Sequence, residues 1–256
     1  METIYVKEIE KETKLPYFMV KKERFIKEGD IHIYEIPIFK RKKNYIKICK
    51  YLKKKGVKNI IFSQQCDKYL LYNLKRMFYY TNGEEAFYNA FLSILSFFAK
   101  KKEIPLKESK IVFISNQPKK TEKLIKKIHK KVKEIKIYTE KKETFEKLAE
   151  NITKEYGIYI KICGKDMKPQ KYQHIYINIE EKRFLKEDFF INCNIIDIYN
   201  IYQGGYRDIL FYYKTPYDVF LKEYKIEKRL QITSYFMEKE IVKKEKNYKI
   251  INIFKL

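Results

Sequence analysis

Residues 109–162 read SKIVFISNQPKKTEKLIKKIHKKVKEIKIYTEKKETFEKLAENITKEYGIYIKI, and this stretch decides the fold. The order is strand, helix, strand, helix, strand, the plan of a dinucleotide-binding half-domain. After the first strand, 111–114, such a domain normally carries glycines that let the backbone approach a pyrophosphate. Here the chain has Ser115, Asn116, Gln117, Pro118, Lys119 and Lys120. Asn116 tolerates unusual φ values, but Gln117 adds bulk and Pro118 removes an N–H that would bind phosphate. Pro118 also suits the first residue of a helix, where its fixed φ is tolerated. Lys119 and Lys120 then lie at the positive end of the helix dipole, a placement that costs a little unless an anion joins them. Two readings follow: an anion site that uses Asn116, Gln117 and the lysines, or a loop that binds nothing. The missing glycines favour the second.

The second strand of the stretch leads into Thr139, Glu140, Lys141 and Lys142, where dinucleotide domains select between ribose and ribose phosphate. Glu140 is placed to accept from a ribose hydroxyl, and Lys141 and Lys142 to meet a 2′-phosphate. The simpler expectation is a helix start, with Thr139 as N-cap and Glu140 and Glu143 near the positive dipole end. We favour the helix start.

Residues 104–114, IPLKESKIVFI, resemble the entry to the NADP-binding domain of shikimate dehydrogenases and glutamyl-tRNA reductases. Residues 138–150, YTEKKETFEKLAE, resemble their second strand and helix, which often read Asn-Arg-Thr before a helix containing Leu-Ala. The likeness covers roughly a quarter of the chain, and its motifs are of low specificity. It implies a Rossmann-like fold, with NADP or another nucleotide as the expected class of cofactor. The catalytic Lys and Asp of shikimate dehydrogenases have no match in residues 1–80, and the nucleophilic Cys of glutamyl-tRNA reductases has no counterpart. Neither activity is carried over, and no catalytic residue is assigned. The whole chain is also similar to proteins of AT-rich, low-GC bacteria in which a comparable helix precedes a glycine-free Rossmann unit, which implies fold alone.

Outward from this stretch, residues 1–80 read as a small α/β unit. Residues 31–36 alternate as a strand, 44–55 form a helix with Tyr45, Ile48 and Leu52 on one face before Gly56, 57–62 form a strand, and 66–79 a second helix. The strand–helix–strand order favours parallel pairing. Residues 81–103 read as a connecting amphipathic helix, opened by Thr81 and Glu84 at capping-box spacing. Phe87, Ala90, Phe91, Ile94, Leu95 and Phe98 form its apolar stripe, and Lys100, Lys101 and Lys102 end it. Residues 104–256 complete the Rossmann-like domain, with further strands at 174–179 and 193–198, a mostly helical tail over 217–244 and a return strand at 248–254. The expected class is α/β, a mostly parallel sheet with helices on both faces, preceded by the small N-terminal unit.

The net charge of +24 raises a nucleic-acid or membrane-surface reading. Most of the cations are Lys rather than Arg, the better bidentate reader of phosphate and bases. Lys, Ile, Tyr and Asn abound together while Ala, Gly and Pro are scarce, as AT-rich coding produces. Polyanion attraction at low salt is still expected. Cys49, Cys66, Cys163 and Cys193 form no Cys-x-x-Cys pair and read as reduced thiols, which fits a cytoplasmic setting. The N-terminus lacks an apolar signal-peptide core, and the apolar run 86–99 is too short to span a bilayer. His32, His129 and His174 have no metal-ligand spacing, so no metal site is expected.

One further cluster, Gln203-Gly204-Gly205-Tyr206-Arg207-Asp208, combines a sharp turn with Arg207, a candidate for an anion; a surface Arg–Asp pair is the plainer reading. Tyrosines such as Tyr79-Tyr80 and Tyr212-Tyr213 are assigned to core margins rather than to base stacking. The expected function is a non-catalytic role in sensing a nucleotide or anion, or in binding a protein partner or a second copy. An NADP-dependent oxidoreductase with an atypical phosphate loop and a basic nucleic-acid- or membrane-surface-binding protein are the alternatives.

Overall fold

The computed structural model describes residues 3–9, 25–28, 31–39, 41–62, 66–81, 83–164, 174–180, 194–197, 206–223, 226, 229–239 and 249–255. The chain divides into two compact units, Met1–Asn82 with Lys214–Glu227 and Gln231–Ile241, and Gly83–Tyr213 with Lys228–Leu230 and Val242–Leu256.

In the first unit, strands β1 (Thr3–Ile9), β2 (Phe25–Glu28), β3 (Ile31–Pro37), β4 (Asn59–Phe62) and β5 (Tyr79–Tyr80) form a sheet of order β2-β3-β1-β4-β5. Strands β3 and β4 are parallel, as the strand–helix–strand order predicts. They do not touch each other, because β1 lies between them with Tyr5 opposite both Ile33 and Ile61. Helix α1 (Lys43–Lys54) buries Tyr45, Ile48 and Leu52, and Gly56 follows at φ +76°, a left-handed turn that a β-carbon would strain. Helix α2 spans Lys68–Met77 and starts later than the spacing predicts. Asp67 caps it by accepting from the N–H groups of Tyr69 and Leu70, which leaves Cys66 outside the helix but buried. The expected helical tail resolves into α6 (Asp218–Glu223) and α7 (Leu230–Glu238). Gln231 Oε1 accepts from the Phe62 N–H at the end of β4, 3.2 Å away, so this tail satisfies a strand end of the first unit.

The second unit begins with α3 (Glu84–Lys101), which buries Phe87, Ala90, Phe91, Ile94, Leu95 and Phe98. The expected capping box is absent. The Thr81 N–H instead donates to the Ile60 carbonyl, continuing the β4–β5 ladder, and its Oγ1 accepts from Asn59 Nδ2. Gly83, at φ +83°, is the N-cap and offers no side chain. Past a 3-10 turn (Leu106–Glu108) come β6 (Lys110–Ile114), α4 (Pro118–Ile128), β7 (Glu134–Tyr138), α5 (Lys142–Tyr156) and β8 (Ile160–Cys163). Strands β9 (His174–Asn178), β10 (Asn194–Asp197), β11 (Tyr206–Tyr212) and β12 (Lys249–Lys255) complete a sheet of order β12-β11-β10-β9-β6-β7-β8. All neighbours are parallel except β11 and β12.

Two crossovers carry the chain from β6 outward to β8; it then returns to the other side of β6 as β9. That reversal is the topological switch point of a doubly wound sheet. Successive right-handed crossovers in one direction place α4 and α5 on the same face, where they pack together. The ring of Phe91 in α3 lies 6.1 Å from that of Phe113 in β6. Residues 181–193 and 198–205 lie outside the described residues, and with them Cys193 and Gly204-Gly205.

Cys49, Cys66 and Cys163 are buried thiols outside any disulfide. Burial pushes the Cys49 thiol up to about 12 from its ordinary value of 9.0. Tyr213 belongs to the core at 2% exposure, whereas Tyr79 is 82% exposed. That departure from the expected core margin follows from its place on β5, the sheet's edge. Among the described residues no helix is long and apolar enough to cross a membrane, and no group of His, Cys, Asp and Glu has the makings of a metal site.

Candidate functional site

The loops after β6, β7 and β9 converge at the switch point between β6 and β9. Pro118 is the first residue of α4, as its fixed φ allows, and Gln117 is the N-cap without a side-chain cap bond. The first turn of α4 contains no acidic residue, so its dipole has no local counter-charge.

That counter-charge comes from across the sheet. Glu180, two residues past β9, places Oε1 2.7 Å from the Asn116 N–H and 3.2 Å from Ser115 Oγ, accepting from both. Gln117 Nε2 donates to the same oxygen at 3.3 Å and lies 3.4 Å from the Ile179 carbonyl. The Gln117 N–H donates to Ser115 Oγ at 2.9 Å, and Thr121 Oγ1 donates to Ser115 Oγ at 2.8 Å. Glu180 is itself held by Asn178, whose side chain accepts from the Glu180 N–H and donates to its carbonyl. A carboxylate of the chain thus sits at the helix N-terminus, where an open phosphate loop would present its donors to an anion.

Asn116 ties this loop to the next one. Its Nδ2 donates to Glu140 Oε2 at 3.0 Å, and its Oδ1 accepts from Thr139 Oγ1 and from the Glu140 N–H, each at 2.9 Å. Thr139 is not the N-cap of α5. Its hydroxyl is donated to Asn116 and accepts from the Lys141 N–H, so the helix begins two residues later with Lys141 as N-cap.

The lysines of α4 face different ways. Lys120 pairs with Glu84 of α3 at 2.5 Å, Lys123 Nζ stands 5.5 Å from the centre of the Tyr88 ring, and Lys127 Nζ donates to the Tyr88 carbonyl. With spacings of three and four, these residues form one stripe that fastens α4 to α3. Lys119 is exposed. Tyr88 is 4% exposed, and burial, followed by the carboxylates of Glu84 and Glu180, pushes its hydroxyl pKa up.

Of the residues singled out in the sequence, Asn116, Gln117 and Glu140 meet in one network. Lys120 is drawn to Glu84, Lys141 is exposed, and Lys142 pairs with Glu146 one turn along α5 at 3.6 Å. Arg207 lies in β11, whose Tyr206 is in register with Ile196 of β10, two strands from β6; its side chain is outside the described residues. Sequence reading missed Glu180, Ser115 and Thr121. The available signal was the polar pair Asn178 and Glu180 at the carboxyl end of a strand, which matters only once β9 is known to pair with β6.

The fold and this site define a Rossmann-like α/β protein whose phosphate-loop position is filled from within. No protein-family model matches the chain, and no curated protein matches it. Among solved structures it is similar to a shikimate dehydrogenase in complex with NADP+, at 13% identity over 94% of this chain and 96% of that one, TM-score 0.31. It is also similar to shikimate 5-dehydrogenase from Listeria monocytogenes in complex with shikimate and NAD, at 12% identity over 74% and 75%, TM-score 0.30. A third is L-tryptophan dehydrogenase from Nostoc punctiforme, at 9% identity over 76% and 60%, TM-score 0.34. The resemblance is distant and assigns neither activity nor ligand.

Proposed function

We propose that the chain is a non-catalytic, Rossmann-like sensor of a phosphate-bearing anion, which binds by displacing Glu180 from the N-terminus of α4. One observation carries the reading: the Asn116 N–H, the first open donor of the loop, is occupied by Glu180 Oε1 at 2.7 Å. A dinucleotide needs several such donors and a close backbone approach. Here Pro118 has no N–H, the Gln117 N–H is held by Ser115, and the Gln117 side chain spans the loop. A small phosphate group needs only the donors that Glu180 now uses, from Asn116, Ser115 and Gln117. Lys119 would add charge from the exposed side of the first turn.

The test is calorimetric titration of the full chain and of Glu180→Ala with inorganic phosphate, pyrophosphate, ATP and NADPH. Wild type is expected to bind phosphate or pyrophosphate weakly and NADPH not at all. Glu180→Ala, freed of its internal competitor, should bind the same anions at least ~10-fold more tightly. Tight NADPH binding by wild type would overturn the reading in favour of the oxidoreductase alternative. Absence of anion binding by both proteins would reduce Glu180 to a structural lock.

A further inference from the structure

Strand β8 ends the seven-stranded sheet, and among the described residues only β7 pairs with it. The Cys163 carbonyl accepts from the Thr139 N–H and so points inward. Because peptide groups alternate along a strand, Ile160, Ile162 and Gly164 turn their N–H and C=O groups to the open side. Beside the edge runs a groove of ≈ 820 Å³, bordered on α5 by Glu146, Glu150 and Lys154 and on the strand by Lys161. Tyr159, at the strand's entry, is 77% exposed.

We infer that this edge joins a second copy of the same chain, β8 against β8 in antiparallel sense about a two-fold axis, making one continuous sheet. An edge of unpaired peptide groups accepts an extended strand, and the charges of this groove select the occupant. Two carboxylates and two ammonium groups border it, although the chain as a whole carries +24. An acidic or a basic segment would leave one pair of these charges unmatched, whereas a two-fold copy brings both signs.

The register follows from the side chains. Setting Lys161 opposite Lys161 opposes like charges directly across the strands. Sliding the strands by two residues, which moves the axis by one, sets Ile162 opposite Ile162, Ile160 opposite Gly164, and Lys161 opposite Cys163. All outward peptide groups then face partners. Glu146, Glu150 and Lys154 lie four residues apart on one stripe of α5, and antiparallel apposition centred on Glu150 sets Glu146 against Lys154 of the second copy. The same symmetry brings the two Glu150 carboxylates together at the axis.

Sedimentation velocity of the full chain at 1–100 µM, in low and in about 0.3 M salt, tests the assignment. A dimer of twice 31.5 kDa is expected, and salt should strengthen it because screening weakens the repulsion between two copies of charge +24. Glu146→Lys should weaken the dimer roughly tenfold, Glu146→Lys with Lys154→Glu should restore it, and Glu150→Gln should tighten it. Ile162→Pro removes an outward N–H and should abolish the dimer. The charge variants lie on α5 outside its buried residues, so they remain informative if the proline variant fails to fold. A monomer throughout the concentration range in 0.3 M salt would overturn the assignment. So would a dimer indifferent to both the charge swap and Glu150→Gln.

Discussion

Replacing Glu180 by Ala tests whether the α4 start is built on that carboxylate. The short bond from the Asn116 N–H is charge-assisted and partly buried, worth about 1.5–3 kcal/mol net where fully enclosed. The bonds from Ser115 Oγ and Gln117 Nε2 exceed 3 Å, and Ser115 keeps its bonds to the Gln117 N–H and to Thr121. Loss of negative charge beside a first turn without acidic residues adds about 0.3–1 kcal/mol. Since Glu180 is half-exposed, water replaces part of what is lost, and about 2 kcal/mol is the expected total. The Asn116 amide is the local reporter. Its hydrogen exchange in native conditions should accelerate by about 30-fold, while amides in β4 of the other unit stay unchanged. Glu180→Gln keeps an acceptor without the charge and should fall between Ala and wild type. An Asn116 amide equally protected in Glu180→Ala would refute the argument that this carboxylate holds the loop.

Alkaline pH should destabilise the first unit through Cys49. Its folded pKa of about 12 exceeds the ordinary 9.0, so the folded state keeps a proton that the unfolded state releases. The stability is full below pH 9 and falls by at most about 1.4 kcal/mol per pH unit from 9 towards 12, measurable as denaturation midpoints that flatten with pH in Cys49→Ala. Phe91→Ala should cost about 3–5 kcal/mol, because the ring is fully buried against Phe87 and Phe113 and its loss leaves a cavity. Chemical denaturation followed by tyrosine fluorescence checks it, and a loss under 1 kcal/mol would mean that α3 does not anchor the second unit's core.

Much of the architecture was legible in the sequence because it depends on local periodicity and turn chemistry. The apolar residues of 109–162 alternate and recur with periods that give β6, α4, β7, α5 and β8 with little freedom. The Phe87–Phe98 stripe specifies a buried helix, and Pro118 marks the start of α4 because its ring fits there and nowhere further along. Local signals failed where a residue had a partner distant in sequence. Thr81 and Thr139 have the chemistry of caps, but their hydroxyls are engaged by Asn59 and Asn116, and each helix starts elsewhere.

By itself the sequence determined that the loop after β6 lacks the glycines that let a backbone approach a pyrophosphate closely. It did not determine what the loop holds. Glu180 is 64 residues from Asn116 and becomes its neighbour only because the chain reverses at β8 and lays β9 against the free side of β6. The open edge of β8 is likewise a property of strand order, since nothing in Ile160-Lys161-Ile162-Cys163 says which strand ends the sheet. Strand order is set by long-range pairing, whose energy comes from burying faces already fixed by local pattern. Tertiary structure therefore decided which polar groups meet at the switch point and, among the described residues, which strand ends the sheet.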